Sequence, residues 1–357
     1  MVGGLAGHTA SFAKLIERRT KLSEAAERKK DDEVYLDSYA DLAIHEDMLR
    51  DIPRVEAYRK AIAACSDDWT ARGDVTVVDV GAGTGLLSIF AARAGAKHVL
   101  AVEASRLAHY LREVVVRNSP HGRVEVRECL AENLELEAGQ AVDVIVSEWM
   151  GYFLLFENML PSVLAVRDRY LRPGGQMLPS KCRLLVAPLE DGAWRSERLD
   201  FWKDVHGIDM SALVPLATAT ACERPQHRLI DAAGLLGSAV EVCNLDLLHV
   251  TEADLKRFEV PLSFEIPPGR RLDGFASWFE CEFGDAGWLL STAPEQPPTH
   301  WRQTAFYLRQ PISGGGGILV SGTLIVEKHE TYSRGYRVTL DLEAPGRKRR
   351  AETFELR

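Results

Sequence analysis

Metal-ligand spacings are missing from this sequence. Its six cysteines (Cys65, Cys129, Cys182, Cys222, Cys243, Cys281) are scattered, with no CxxC pair among them. That excludes a zinc module or a disulfide scaffold, and the thiols are expected to be reduced. No apolar run has the length of a membrane span and no leader is visible, so the expected address is cytoplasm, nucleus or both, with no membrane partner. Basic residues are in the minority, 43 Lys and Arg against 52 Asp and Glu, for a net charge of −9. This balance argues against direct nucleic-acid binding and suits a basic partner. The pyrophosphate fingerprint GxGxxG is missing too: Gly81-Ala82-Gly83-Thr84-Gly85 has GxGxG spacing, with Leu86 where the third glycine would stand. A nicotinamide-dependent oxidoreductase is therefore a poor reading.

What is present is an alternation. Apolar β-branched runs at 75–80, 98–102, 124–128 and 142–147 read as strands, with helices at 86–94, 106–118 and 158–170 between and after them. Such a pattern predicts a parallel, doubly wound sheet. Past Leu178-Pro179-Ser180 strand-like runs recur with little helix, at 182–188, 240–247, 258–265, 275–283, 318–327, 335–342 and 352–356, and imply a barrel-like all-β domain. Gly314 to Gly317 reads as a hairpin loop. The domains expected are a flexible segment 1–30, N-terminal helices with a Rossmann-like domain over 31–178, and a β-barrel over 179–357. Residues 190–226 interrupt the barrel with Trp194, Phe201, Trp202, Ile208, Met210, Leu213 and Val214. They either pack on their own domain or seek a partner surface. Arg347, Lys348, Arg349 and Arg350 suit a solvated turn better than an import signal.

The sharpest stretch follows the strand at 142–147: Ser147-Glu148-Trp149-Met150-Gly151-Tyr152-Phe153-Leu154-Leu155-Phe156-Glu157. On a single helix the two glutamates would be turned about 900° apart, onto opposite faces. They converge only if the chain doubles back, which Gly151 permits. Two carboxylates in apolar walls repel unless a cation lies between them, and a guanidinium matches their geometry. The loop is thus either a trap for arginine or a surface loop with two unrelated glutamates. Glu103, twenty residues after Gly83, ends a strand where an acid can accept both hydroxyls of a ribose. With Glu132 after the next strand, this suits a nucleoside ligand without phosphate, such as S-adenosylmethionine. Thr299-His300-Trp301, behind Pro294, Pro297 and Pro298, is a stiff loop placed to face a site. No metal is expected.

Together these residues resemble the protein arginine methyltransferases from about Asp31 to the C-terminus. Tyr35-Leu36-Asp37-Ser38-Tyr39 is similar to that family's YFxxY helix, with Leu36 in place of the usual phenylalanine. Residues 80–85 resemble its cofactor motif, 147–157 its double-E loop, and Thr299-His300-Trp301 is identical to its THW loop. The resemblance implies a type I-like enzyme giving asymmetric dimethylarginine, with Glu148, Glu157, His300, Asp51 and Met48 in catalysis and Asp51 polarising His300. It implies cofactor contacts from Tyr35, Tyr39, His45, Met48, Arg54, Asp79, Gly81, Gly83, Thr84, Glu103, Ala104, Ala131, Glu132, Glu148 and Met159. Substrate contacts would come from Glu148, Tyr152, Glu157, His300 and Trp301. It also implies Arg-Gly-rich or histone-like protein substrates and a homodimer formed through the arm 190–226. The competing functions are a methyltransferase for a small guanidino compound and a catalytically weak dimeric scaffold.

Overall fold

The computed structural model describes residues 30–118, 122–284, 287–313 and 315–357. The flexible segment expected at 1–30 lies outside these residues except for Lys30. A helix over residues 30–38 (α1) leads to α2 (Leu42–Arg50), α3 (Ile52–Ala64) and α4 (Ser66–Arg72). Asp41 caps α2 by accepting from Ala43 N, and Asp51 caps α3 by accepting from Arg54 N, with Pro53 in its first turn. Strands β1 (Thr76–Val80), β2 (His98–Glu103), β3 (Val124–Glu128), β4 (Val142–Val146) and β5 (Leu171–Leu178) follow. Between them run α5 (Leu86–Arg93), α6 (Leu107–Asn118) and α7 (Leu160–Tyr170). All pairings are parallel, in the order β3-β2-β1-β4-β5. The central strand β4 is buried at every position, which is why it reads as an unbroken apolar run instead of an alternation. The chain winds outward from β1 and returns beside it at β4. Ligands of such sheets bind at this reversal, off the carboxyl ends of the strands. Gly81 follows β1 there, and Glu148 follows β4.

The second unit contains β6 (Lys181–Leu189), β7 (Gln226–Arg228), β8 (Val240–Asp246), β9 (Arg257–Ile266), β10 (Arg271–Phe283), β11 (Trp288–Ser291), β12 (Gln303–Ser313), β13 (Ile318–Lys328), β14 (Tyr336–Glu343) and β15 (Arg350–Leu356). One antiparallel sheet runs β7-β12-β10-β6-β8, with β11 on β10; the other runs β15-β14-β13-β9. Phe264 meets Phe275 between the sheets with ring centroids 5.8 Å apart, and Phe306 meets Phe354 at 5.2 Å. The result is a barrel-like core.

Two expectations for this unit need correcting. The glycine run does not close a hairpin: Gly315 to Gly317 carry the chain from one sheet to the other. Strand β12 pairs with β10 and β7, whereas β13 pairs with β9 and β14, so each finds its partners elsewhere. Strand β12 itself was not expected, because it is buried along its first half and carries Arg309 and Pro311 further on, which erases the alternation. The basic run behaves as a turn. Arg349 pairs with Asp341 across it and Arg350 begins β15.

The insertion 190–226 forms α8 (Gly192–Arg198), two 3-10 turns and α9 (Val214–Ala221). Its two readings divide by residue. Trp194 is 2% exposed and stacks on Tyr307 at 3.6 Å, while Arg195 pairs with Asp273 at 2.7 Å, so α8 belongs to its own domain. Beyond it, Phe201 (52%), Ile208 (57%) and Leu216 (66%) stand exposed, and α9 buries no residue.

Candidate active site

At the end of β1 the chain turns through Gly81 (φ 74°) and Gly83 (φ 53°), conformations that glycine adopts at little cost. The N–H groups of Gly81 and Ala82 both donate to Val102 O at 2.9 Å, pinning the turn to β2. A side chain here would also press on two neighbours. A Cβ on Gly81 would overlap the Met159 methyl, and one on Gly83 would lie 3.3 Å from the His45 ring. Glu103 is buried, and its carboxylate is held by two backbone donors, Gly83 N at 2.8 Å and Ser105 N at 2.7 Å, one on each oxygen. Each oxygen keeps a further lone pair, so Glu103 presents two fixed acceptors to the cavity it lines. Asp79 lies beneath the turn, off the cavity wall. Burial pushes its carboxyl up to about 7, against the Ser88 hydroxyl donating at 2.6 Å. Glu132, after β3, accepts from Ser162 Oγ.

The loop after β4 does double back. Ser147 anchors it by donating to Val80 O at 2.7 Å and accepting from Tyr58 OH at 2.9 Å. Gly151 N donates to Leu154 O at 3.1 Å, and a Cβ on Gly151 would collide with the Phe156 carbonyl. Phe153, Leu154, Glu157 and Asn158 all take positive φ (52–73°), at roughly 1–3 kcal/mol each. Packing sustains the cost. Trp149, Met150, Phe153, Leu154 and Leu155 are buried, and the Trp301 indole N–H donates to Met150 O at 2.8 Å. The turn brings Glu148 and Glu157 into the wall of one cavity of about 780 Å³, which every expected site residue lines except Asp79.

The two carboxylates differ in their partners. Glu148 Oε2 accepts from Arg54 Nε at 3.0 Å and pairs with Nη2 at 2.9 Å. Arg54 lines the cavity, and its guanidinium is shared between Glu148 and Met48 O, to which Nη1 donates at 2.7 Å. Glu157 has a phenol instead: Tyr39 OH donates to it at 2.6 Å. Burial pushes the Glu157 carboxyl up to about 7 and Glu148 adds to the push, while Tyr39, Arg334 and Tyr35 oppose it.

His300 is joined to Asp51 across 249 residues, with Nδ1 at 2.7 Å and its own N–H donating at 2.9 Å. Burial alone would raise the Asp51 carboxyl, but these bonds and the Arg54 N–H hold it below the usual range. With Nδ1 engaged by Asp51, Nε2 is the nitrogen left to take a proton. Two residues not anticipated also line the cavity. His227 stacks on Tyr152 at 4.0 Å, and burial with Arg302 pushes it down to about 4, so it is neutral. Arg334 donates to Glu157 O at 2.7 Å. An isolated histidine and a loop arginine carry no sequence signal of such roles. Among the described residues no cluster of three His, Cys, Asp or Glu could hold a metal ion, and no helix is long and apolar enough to cross a membrane.

Residues 180–347 match the arginine methyltransferase oligomerization subdomain and residues 77–175 a methyltransferase domain. Over 342 residues the chain is 39% identical to the probable protein arginine N-methyltransferase 6.1 of Oryza sativa subsp. japonica, covering 88% of this chain and 86% of that protein. It is 37% identical to protein arginine N-methyltransferase 6 of Xenopus laevis over 335 residues, covering 92% and 97%. Among solved structures, the Trypanosoma brucei PRMT1 enzyme-prozyme heterotetrameric complex with AdoHcy aligns with a TM-score of 0.79 and 32% identity. That alignment covers 90% of this chain and all of the other.

Proposed function

The chain belongs to the protein arginine N-methyltransferase family, and from that premise we propose that it is a type I enzyme. It transfers methyl groups from S-adenosylmethionine to one guanidino nitrogen of protein arginines, giving monomethylarginine and then asymmetric dimethylarginine. One observation carries this reading: Glu148 and Glu157 meet in one cavity wall, and Glu148 already holds a guanidinium, that of Arg54.

The cofactor half fits its ligand. Glu103 offers two fixed acceptors suited to vicinal ribose hydroxyls, the His45 ring packs against the bare Gly83 of the turn, and Met48 lines the same cavity. When bound, S-adenosylmethionine supplies an electrophilic methyl group on a sulfonium. The protein's own residues do the rest. Arginine is protonated and delocalised, hence a weak nucleophile. The two carboxylates neutralise it, orient one nitrogen and draw positive charge away from that nitrogen. The proton leaves to Glu157 or to His300 Nε2, with Asp51 holding the ring in place. Met48, buried and slender, leaves room for a second methyl on the same nitrogen. The net charge of −9 suits Arg-Gly-rich or histone-like substrates, in the cytoplasm or nucleus. The exposed arm residues suit a homodimer.

The test is incubation with labelled S-adenosylmethionine and an Arg-Gly-rich peptide, with free arginine as the small-molecule control. Fragmentation spectra should show asymmetric dimethylarginine in the peptide. Symmetric product only, monomethylarginine only after exhaustive reaction, or methylation of free arginine alone would overturn the proposal. For the cofactor, Glu103→Ala should weaken S-adenosylmethionine binding by a few kcal/mol, roughly a hundredfold in Kd. Calorimetry that gave the wild-type affinity would remove Glu103 from the cofactor site.

A further inference from the structure

The loop between β13 and β14 belongs to the barrel, yet it reaches the N-terminal helix and the second glutamate together. Arg334, whose side chain is only 12% exposed, donates to Asp32 Oδ1 through Nε (2.9 Å) and Nη2 (2.7 Å). Its Nη1 donates to the backbone carbonyl of Glu157 at 2.7 Å, and its guanidinium lies 3.7 Å above the ring of Tyr35. Beside it, Ser333 donates to Asp31 through both N (2.8 Å) and Oγ (2.9 Å), and Asn158 Nδ2 donates to Ser333 O at 3.1 Å. One planar fork thus holds α1, caps a residue in left-handed backbone and stacks on an aromatic ring, a set of contacts a lysine could not reproduce. By contrast, the Arg106–Asp37 pair between α1 and the sheet domain is solvent-exposed and contributes little.

We propose that Arg334 is a positioning residue for methyl transfer, a latch that makes the placement of Glu157 depend on the docking of α1. The inference rests on the arginine methyltransferase reading given above. Tyr39, just past the end of α1, donates to Glu157, so the helix and the barrel loop grip this residue from two sides. The groups facing the Glu157 carboxyl are Tyr35 and Tyr39 from the α1 segment, Glu148 and Tyr152 from its own loop, and Arg334 and Tyr332 from the barrel loop. Arg334 is the cation among them and favours the carboxylate. Without it, burial and Glu148 are less opposed and Glu157 holds its proton to higher pH.

The test uses the full chain with Arg334→Gln, Arg334→Lys and Asp32→Asn. Amide exchange over residues 30–38 should lose about tenfold or more of its protection in Arg334→Gln and in Asp32→Asn, and the double variant should be no worse than Arg334→Gln. Turnover on an Arg-Gly-rich peptide should fall about tenfold or more in Arg334→Gln, with a smaller change in KM. Its acid limb in kcat/KM should move to higher pH by about half a unit or more, whereas Arg334→Lys, which keeps the charge, should leave the limb in place. Unchanged protection of 30–38 in both Arg334→Gln and Asp32→Asn would overturn the latch. So would lost turnover in Arg334→Gln with an unmoved acid limb, the signature of a merely structural role. If the wild-type chain methylated no arginine, the functional reading would fail while the exchange experiment still decided whether Arg334 holds α1.

Discussion

Glu148→Gln and Glu157→Gln should each lower turnover on a peptide arginine by roughly 10²–10³-fold, the scale of losing one preorganised charge partner in a dry site. A neutral amide keeps the size of the side chain but no longer neutralises the guanidinium or draws charge from its nitrogen. The two variants should differ in a second respect. Glu148 anchors Arg54, which also bonds Met48 O in the cavity wall, so Glu148→Gln frees a cation there and should disturb cofactor affinity. Glu157 is held by Tyr39 and Arg334, and Glu157→Gln should leave cofactor affinity close to wild type. The pH dependence follows the same assignment. The carboxylate is the active form, and burial has raised Glu157 to about 7. Activity in kcat/KM should therefore be full above that value and fall as pH drops through it. Glu157→Gln should flatten this limb. Turnover within tenfold of wild type in both variants would remove the pair from the chemistry.

Excising the exposed part of the arm is the second large effect. Phe201, Ile208 and Leu213 leave apolar surface in water, and burying each is worth about 1.5–3 kcal/mol before ordering costs. A twofold pair of arms, each on the partner's cofactor domain, would realise that gain and close a head-to-tail ring. The excision has to begin after Leu199, because Trp194 and Arg195 are part of the barrel's own packing. Replacing residues 200–213 with a short Gly-Ser linker should give a soluble monomer by light scattering. It should bind S-adenosylmethionine weakly and have lost most of its turnover, since the partner's arm no longer supports the helices bordering the site. A monomeric mass for the intact chain at micromolar concentration, with full activity, would rule the arrangement out.

The glycine turn, Glu103 and the glutamate loop were legible because each is local. A turn at positive φ, a carboxylate at a strand end and two acids around a glycine are written in a few consecutive residues. The parallel sheet was legible for the same reason, through unbroken apolar strands such as β4. The resemblance to arginine methyltransferases rested on these short stretches, and 39% identity to a rice relative makes the family plain. By itself, then, the sequence determined the fold class, the place of the glycine turn and the two acids of one loop that line the same cavity. Tertiary structure decided what surrounds each acid. Arg54 lies on Glu148, Asp79 drops off the cavity wall, and the Asp51–His300 pair that the resemblance implied closes across 249 residues. Arg334 reaches α1 and Glu157 from a barrel loop, and β12 and β13 go to different sheets despite the glycines between them. The reason is physical. A backbone conformation is set by neighbours in sequence, whereas an ion pair, a raised carboxyl or a strand's partner is set by what packing brings within about 4 Å, wherever it lies in the chain.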